Sequence, residues 1–164
     1  MDKLYSPWRQ KYVTGESKKI THKNCPFCAN IATDQDNRNF ILKRYKYVCV
    51  LLNLYPYNAG HLLVLPNKHC KDLQKLSQDE LNELMLVISE SIAALNKTIK
   101  PDGVNVGFNL GKAAGASITE HLHIHIVPRW DGDTNFMPLL AQTKQVSIDL
   151  KKIYQQIKPG FSEK

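Results

Sequence analysis

Three of the six histidines in this 164-residue chain lie within five consecutive residues, at His121, His123 and His125. On a β-strand, residues i and i+2 point to the same side about 6.6 Å apart. A strand here would therefore present all three imidazoles on one face and direct Leu122 and Ile124 into the core. Crowding three imidazoles carries an electrostatic cost, which argues against a purely structural role. The pattern indicates a reactive or metal-binding site.

Two kinds of chemistry suit this arrangement. A metal ion could take two of the imidazoles and a third ligand from elsewhere. Alternatively, a neutral imidazole could attack a phosphorus atom while its neighbours bind phosphate oxygens and protonate the leaving group. The Gly/Ala-rich segment from Gly111 to Ser117 favours phosphorus chemistry, because its backbone N–H groups can approach phosphate oxygens. No carboxylate cluster suited to Mg²⁺ accompanies the motif, so we expect any magnesium to arrive with a phosphate-bearing ligand.

A second candidate site is the segment Cys25-Pro26-Phe27-Cys28. Two cysteines at this spacing provide half of a zinc site and need two further ligands. A disulfide framework is not expected in a cytoplasmic chain, and a redox pair would require a βαβ unit that the pattern lacks. Alternatively, the two cysteines could be buried thiols that bind no metal. Cys70 could also serve as one of the further ligands of a zinc ion.

Hydrophobic periodicity predicts the elements that must position these residues. We expect short strands over Phe40–Arg44, Tyr47–Leu52, His61–Leu65, Val104–Phe108 and His121–Val127. Ser77 and Glu80 form a capping box, and apolar residues at steps of three and four behind it predict one long helix that stops at Pro101. The polar stretch 34–38 is typical of a loop, and the amphipathic stretch 146–157 predicts a C-terminal helix. Strands joined mostly by short turns outside one helix predict an α+β fold with an antiparallel sheet.

Length and composition indicate a single globular module with arms. Hydrophobic residues make up 43% and charged residues 23% of the chain, which excludes wholesale disorder and coiled coil. The net charge is +7, and the excess lies in residues 1–24 and 144–164. A nucleic-acid binder would usually show a basic stripe interleaved with aromatic residues, so nucleic acid is not the expected partner. The chain has neither an apolar run of the ~18 residues that span a membrane nor a secretory signal pattern, so we expect a cytoplasmic protein.

The run from His121 to Val127 resembles the signature of the histidine triad (HIT) superfamily of nucleotide hydrolases and transferases. The resemblance covers residues 25 to 130 and includes Asn53, the segment 60–69 and the loop 109–117. The segment 130–138 and the start of the chain, Tyr5-Ser6-Pro7-Trp8-Arg9, further resemble a bacterial branch that includes diadenosine tetraphosphate phosphorylases.

The resemblance implies a HIT-like α+β fold, with an antiparallel five-stranded sheet, one long helix and a C-terminal helix. It divides the chain into a basic arm (1–24), a HIT domain (25–130) and a C-terminal segment that packs on the domain (131–164). It also implies a homodimer, because the superfamily pairs its sheets.

The resemblance further implies a role for each matching position. His123 would attack the α-phosphate and form a covalent nucleotidyl-histidine that a second acceptor cleaves. The other catalytic residues would be His125, which hydrogen-bonds phosphate oxygens, His61, which completes the phosphate pocket from the neighbouring strand, and Ser117 near the leaving oxygen. The substrate-binding residues would be Asn53 on the ribose, Leu51 and Phe27 on the base, and Asn109, Gly115 and Trp130. A structural zinc ion would be held by Cys25, Cys28, His69 and His121. An apolar residue at position 51 or 27 also fits a simple core position.

The implied activity is phosphorolysis of dinucleoside polyphosphates such as diadenosine tetraphosphate to ADP and ATP, with adenine nucleotides as ligands. Hydrolysis of the same substrates or of nucleoside phosphoramidates is an alternative. Two further alternatives are a regulatory protein that binds nucleotides and whose turnover is incidental, and a metal-dependent hydrolase. Water and phosphate both need only room and a hydrogen bond behind the nucleotidyl-histidine, so the sequence leaves the second acceptor open.

Overall fold

Five strands and four α-helices make up the part of the chain that the structure, a computed structural model, describes: residues 21–133 and 149–161. The helices are α1 (Pro26–Ile31), α2 (Asp36–Asn39), α3 (Gln78–Thr98) and α4 (Leu150–Ile157). The strands are β1 (Ile41–Arg44), β2 (Val48–Leu52), β3 (Leu62–Pro66), β4 (Gly103–Phe108) and β5 (Ile124–Arg129). Within these ranges no helix is both long and apolar enough to span a membrane.

The strands form one antiparallel sheet in the order β1-β2-β3-β5-β4. The predicted α+β class, five-stranded antiparallel sheet, long helix and C-terminal helix are confirmed. Strands β3 and β5 are neighbours, with Leu63 paired to His125. This pairing brings the residues just before β3 next to the histidines of β5.

The two faces of the sheet carry different cores, because strand residues alternate between them. One face packs against α3 and α4 and includes Val64, Ile126 and Tyr154. The other face carries a smaller apolar cluster that includes Leu51 and Leu63, together with Phe27 of α1. The histidine site lies on this second face, opposite the long helix.

The capping box predicted for α3 is confirmed. The Ser77 hydroxyl accepts from the backbone N–H of Glu80 at 3.3 Å, and the Glu80 carboxylate accepts from the backbone N–H of Ser77 at 2.6 Å. The two contacts satisfy donors that the first helical turn leaves unpaired. The helix ends before Pro101, as its pattern predicts.

Two local expectations were wrong. The stretch predicted as a loop contains α2, which Arg44 of β1 stabilises by donating to the Asp36 carboxylate at 2.9 Å and to the Ile31 carbonyl at 2.7 Å. The strand predicted to begin at His121 begins only at Ile124, as β5. Before Ile124 the Leu122 N–H donates to the Cys70 carbonyl at 2.6 Å, and Cys70 does not belong to a strand. Tertiary contacts, which periodicity does not report, cause both differences.

Some predicted segments lie outside the described residues. These are residues 1–20 of the basic arm, residues 134–138 of the branch-like segment, and the start of the amphipathic stretch at position 146. The described C-terminal part, α4 and the turn after it, packs Tyr154, Ile157 and Phe161 into the core beneath the sheet.

Candidate active site

His61, His123 and His125 converge on the face of the sheet opposite α3. His125 is a β5 residue, His123 lies just before β5, and His61 lies just before the neighbouring strand β3. The ring centroids of His123 and His125 are 5.1 Å apart, as are those of His61 and His125. His61 is fully buried and His123 is 6% exposed.

The hydrogen bonds of His61 determine which of its nitrogens carries the proton. The backbone N–H of Tyr57 donates to Nδ1 of His61 at 3.1 Å, so Nδ1 must be an acceptor. The proton of a neutral His61 therefore sits on Nε2, which donates to Nδ1 of His125 at 2.9 Å. A neutral His125 must then carry its own proton on Nε2, and the side-chain amide of Asn109 lies beside that nitrogen at 3.5 Å. This chain of contacts gives His125 an N–H donor on the side away from His61.

His123 is held in the opposite tautomer. Its Nδ1 lies 2.7 Å from the carbonyl oxygen of His121, which can only accept, so Nδ1 carries the proton and Nε2 keeps a lone pair. Burial lowers the pKa of His123, although the hydrogen bond to His121 raises it in part. A neutral imidazole with an unprotonated Nε2 is the state that a nucleophilic histidine requires.

Burial also keeps His61 neutral. Burial, helped by the nearby imidazoles of His125 and His123, lowers the pKa of His61 to about 3. At neutral pH His61 therefore stays uncharged and keeps donating to His125.

A cavity of about 210 Å³ opens beside the imidazoles. Its lining includes His123, His125, the apolar residues Pro26, Phe27, Leu51, Leu54, Leu63 and Ile118, and the polar residues Asn30, Asn39, Asn53, Tyr55, Tyr57 and Ser117. Among the described residues, no Asp, Glu, Lys or Arg side chain lines it. A ligand with an apolar ring and an anionic group would meet apolar walls at one part and imidazoles at another.

Three of the six predicted substrate-binding residues, together with the predicted catalytic residue Ser117, lie at this cavity. Leu51, Phe27 and Ser117 line it, and Phe27 also contacts the His123 ring at a centroid distance of 5.1 Å. Asn53 lines it too, and its Nδ2 lies 3.4 Å from Nδ1 of His61. Asn109 contacts His125 instead.

Like Asn109, two further predicted substrate residues are not among the residues lining the cavity. Gly115 sits at a turn with a φ of 89°, where its N–H donates to the Lys112 carbonyl. Trp130 follows β5, and its backbone N–H donates to Asp133 at 3.3 Å.

Sequence reasoning missed several residues at the cavity, among them Tyr57, Asn30 and Asn39. Tyr57 fixes the tautomer of His61 through its backbone and stacks on the His125 ring, with centroids 5.9 Å apart and planes 15° apart. Asn30 and Asn39 line the cavity from α1 and α2. Tyr57 belongs to the turn segment before His61 and could have been found by its closeness in sequence, whereas no sequence pattern marks the two asparagines.

A second cluster lies next to His123. One ligand atom from each of Cys25, Cys28, His69 and His121 lies within 4.8 Å of the other three, so the group could hold a metal ion. Cys25 caps α1, and one turn of that helix brings Cys28 beside it. Cys70, the alternative ligand, is outside the cluster and packs in the core beneath α3.

The distances within this cluster fit a tetrahedral ion. Nδ1 of His121 lies 3.4 Å from Sγ of Cys25 and 3.5 Å from Sγ of Cys28, and Nδ1 of His69 lies 3.3 Å from Sγ of Cys28. Sulfur and nitrogen ligands of one tetrahedral zinc ion would be about 3.6 Å apart. Nε2 of His121 is 2.9 Å from the Pro66 carbonyl, so its proton is held there and Nδ1 is left as the ligand atom.

Comparison with known proteins gives a consistent result. A family model described as HIT domain matches residues 34–132. The chain is 37% identical over 150 residues to a protein of Mycobacterium tuberculosis named AP-4-A phosphorylase, covering 89% of this chain and 77% of that one.

Two solved structures are also similar. One is a hypothetical histidine triad nucleotide-binding protein from Sulfolobus tokodaii, with a TM-score of 0.67, 28% identity, and coverage of 83% of this chain and 91% of that one. The other is a Zn-bound histidine triad family protein from Mycobacterium smegmatis, with a TM-score of 0.70, 24% identity, and coverage of 85% and 94%.

Proposed function

Because the chain belongs to the HIT domain family, we propose that it cleaves dinucleoside polyphosphates of the diadenosine tetraphosphate type by phosphorolysis. The observation that carries this proposal is the pair of opposite tautomers in the site. His123 offers a lone pair on Nε2, and His125 offers an N–H. The similarity to a protein named AP-4-A phosphorylase supports the choice of substrate.

The proposed reaction has two displacements at one phosphorus atom. In the first, Nε2 of His123 attacks the α-phosphorus, and the P–O bond to the leaving nucleotide breaks with its electron pair. This releases ATP and leaves AMP on His123. In the second, an oxygen of inorganic phosphate attacks the same phosphorus and the P–N bond breaks, which releases ADP and restores the imidazole.

The neighbouring residues would stabilise the charge that develops on the phosphate. The N–H on Nε2 of His125 donates to a phosphate oxygen, and His61 keeps that proton in place through its own bond to Nδ1. Ser117 would donate near the leaving oxygen, Asn53 would bind the ribose, and the apolar wall formed by Phe27 and Leu51 would hold the base. Because no carboxylate from the described residues lines the cavity, any magnesium would arrive with the polyphosphate.

Product analysis tests this proposal. Diadenosine tetraphosphate is incubated with the protein, with and without inorganic phosphate, and the nucleotides are separated by ion-exchange chromatography. We expect ADP and ATP only when phosphate is present, and no product from His123→Asn, which should still bind nucleotide. AMP and ATP without phosphate would instead make the protein a hydrolase. Turnover that survives in His123→Asn would contradict the covalent intermediate.

We further propose that Cys25, Cys28, His69 and His121 bind a structural zinc ion. Four protein ligands leave no open position, so the ion would supply folding energy and would not activate water. The contact between His121 and the Pro66 carbonyl supports this, because metal-bound histidines usually donate their second N–H to such a group.

The edge strand β4 supports a homodimer. It ends the sheet, so its outer backbone groups lack a strand partner within the described residues. Val106 and Phe108 on this strand and Leu110 just after it are 45%, 41% and 53% exposed. We propose that a second copy of the chain pairs with this edge and covers these side chains.

The dimer is tested by sedimentation velocity over a range of concentrations. We expect Phe108→Glu to shift the protein to a monomer. Leu86→Glu is the matched control, because Leu86 is 71% exposed on α3, away from the sheet edge, and its variant should stay dimeric. A wild-type monomer at all concentrations, or dissociation caused by Leu86→Glu alone, would refute the proposal.

A further inference from the structure

Two asparagines line the cavity beside the apolar residues that would hold the base. Asn30 lies one helical turn after Phe27 on α1. Asn39 ends α2 and lies two residues before Ile41, the first residue of β1, which pairs with Leu51. Neither asparagine contacts the histidines, so neither belongs to the phosphate machinery described above.

The amide of Asn39 is locked in one orientation. Its Nδ2 donates to the Asn30 carbonyl at 3.3 Å and to Oγ1 of Thr33 at 2.9 Å. The Thr33 hydroxyl itself donates to the Asn30 carbonyl at 3.2 Å, so its oxygen is left to accept from Asn39. The amide nitrogen of Asn39 therefore donates within the protein, and turning the amide over would place Oδ1 against the Asn30 carbonyl oxygen, which can only accept.

The remaining polar atom of Asn39 is the acceptor Oδ1. It has no hydrogen-bond partner among residues 21–133 and 149–161, and it is not one of their buried unpaired atoms. Since Asn39 lines the cavity, this oxygen is accessible to a ligand there.

The backbone around Asn39 is also held in place. Phe40, the next residue, has a φ of 54°, which is unusual for a residue other than glycine. Its N–H donates to the Asp36 carbonyl, and its carbonyl accepts from the Leu52 N–H at 3.0 Å. A fixed backbone and a fixed amide give an acceptor of defined position, as selective recognition requires.

We propose that Oδ1 of Asn39 selects nucleotides whose purine carries an amino group at ring position 6. This inference rests on the proposed binding of a nucleotide in the cavity. Adenine has an amino donor at that position, whereas hypoxanthine and guanine have a carbonyl oxygen. A donor would pair with Oδ1, while a carbonyl would place two acceptors against each other beside an apolar wall. The site would therefore bind adenine nucleotides in preference to 6-oxopurine nucleotides.

Titration calorimetry with AMP and IMP on the full-length protein tests the proposal. The two ligands differ only at ring position 6 and in the proton on N1. A site that leaves a polar group unpaired discriminates by roughly tenfold or more. We expect the wild type to bind AMP at least about tenfold more tightly than IMP, and Asn39→Leu to bring the ratio of the two dissociation constants close to one.

Two further variants separate recognition from folding. Thr33→Val keeps Asn39 but removes the oxygen that locks its amide, so the AMP-to-IMP preference should fall between those of the wild type and Asn39→Leu. Asn37→Ala is the matched control on the same helix. The Asn37 side chain accepts from Tyr154 and does not line the cavity, so the preference should be unchanged.

The outcomes distinguish this inference from the proposed function. Equal affinities of the wild type for AMP and IMP would overturn the inference while leaving His123-dependent cleavage intact. A folded Asn39→Leu variant in which the dissociation constants of AMP and IMP rise by the same factor would also overturn it. Failure of the folded wild type to bind either nucleotide would overturn the proposed function as well.

Discussion

Replacing His61 by Gln is expected to remove part of the acid sensitivity of folding. His61 is fully buried, and burial, reinforced by His125 and His123, lowers its pKa from 6.5 to about 3. The unfolded chain therefore takes up a proton near pH 6.5 that the folded chain does not bind. Above pH 6.5 His61 is neutral in both states and the lowered pKa has no effect on stability, whereas the uptake of a proton by the unfolded chain increasingly destabilises the fold as the pH falls from 6.5 towards 3.

The size of this effect follows from the two pKa values. At pH 4.5 the folded His61 is still neutral, so the loss depends on the unfolded chain alone. Each pH unit below 6.5 costs about 1.4 kcal/mol. Over two units, the free energy of unfolding should fall by about 3 kcal/mol through this one residue.

Urea unfolding of the wild type and His61→Gln at several pH values between 7.5 and 4.5 measures this difference. The variant should be less stable at pH 7.5 but should lose about 3 kcal/mol less than the wild type on acidification. Val64→Ala is the control, because Val64 is buried on the adjacent strand β3 and does not titrate. Its stability should run parallel to that of the wild type. Parallel curves for His61→Gln and wild type would refute the reasoning.

Three further substitutions test other contacts. Cys28→Ser should lower both the zinc content, measured by atomic emission, and the melting temperature; unchanged zinc content would exclude Cys28 as a ligand. Gly60→Ala should destabilise the fold by about 1–3 kcal/mol in urea unfolding, because Gly60 has a φ of 74° and a Cβ there would lie 2.6 Å from Cδ1 of Ile99. Ser77→Ala should cost about 1 kcal/mol in the same assay, because the backbone N–H of Glu80 loses its cap; no change would mean that the cap does not contribute.

Much of the fold was predictable because it depends on local patterns. The cap at Ser77 and the apolar spacing behind it mark α3, since both act within one helix. Short apolar runs mark β2 and β3, and their burial on both faces follows from helices on either side of the sheet. His61 meets His123 and His125 because β3 pairs with β5. The family resemblance predicted that these strands are neighbours, whereas periodicity alone did not.

The features that were not predicted depend on contacts between distant residues. Helix α2 is only one turn long and is held by Arg44, which follows it in another element. The shortened start of β5 depends on the Cys70 carbonyl, far away in sequence. Asn39 shows no pattern of its own, because its orientation comes from Thr33 and a main-chain carbonyl. Such positions become visible only when the hydrogen-bond partners of each atom are known.

The three histidines of the motif share one spacing, yet each is oriented by a different partner. The side chain of His121 faces two thiols through Nδ1, while its backbone carbonyl accepts the Nδ1 proton of His123. Nδ1 of His125 accepts a hydrogen bond from Nε2 of His61, which lies just before the neighbouring strand β3. The first imidazole is thus set to bind a metal, the second is left with a lone pair, and the third is left with a proton to donate. His121 belongs to the cysteine cluster through its side chain and supports His123 through its backbone carbonyl, so a displacement of its main chain would alter both the cluster and the tautomer of His123.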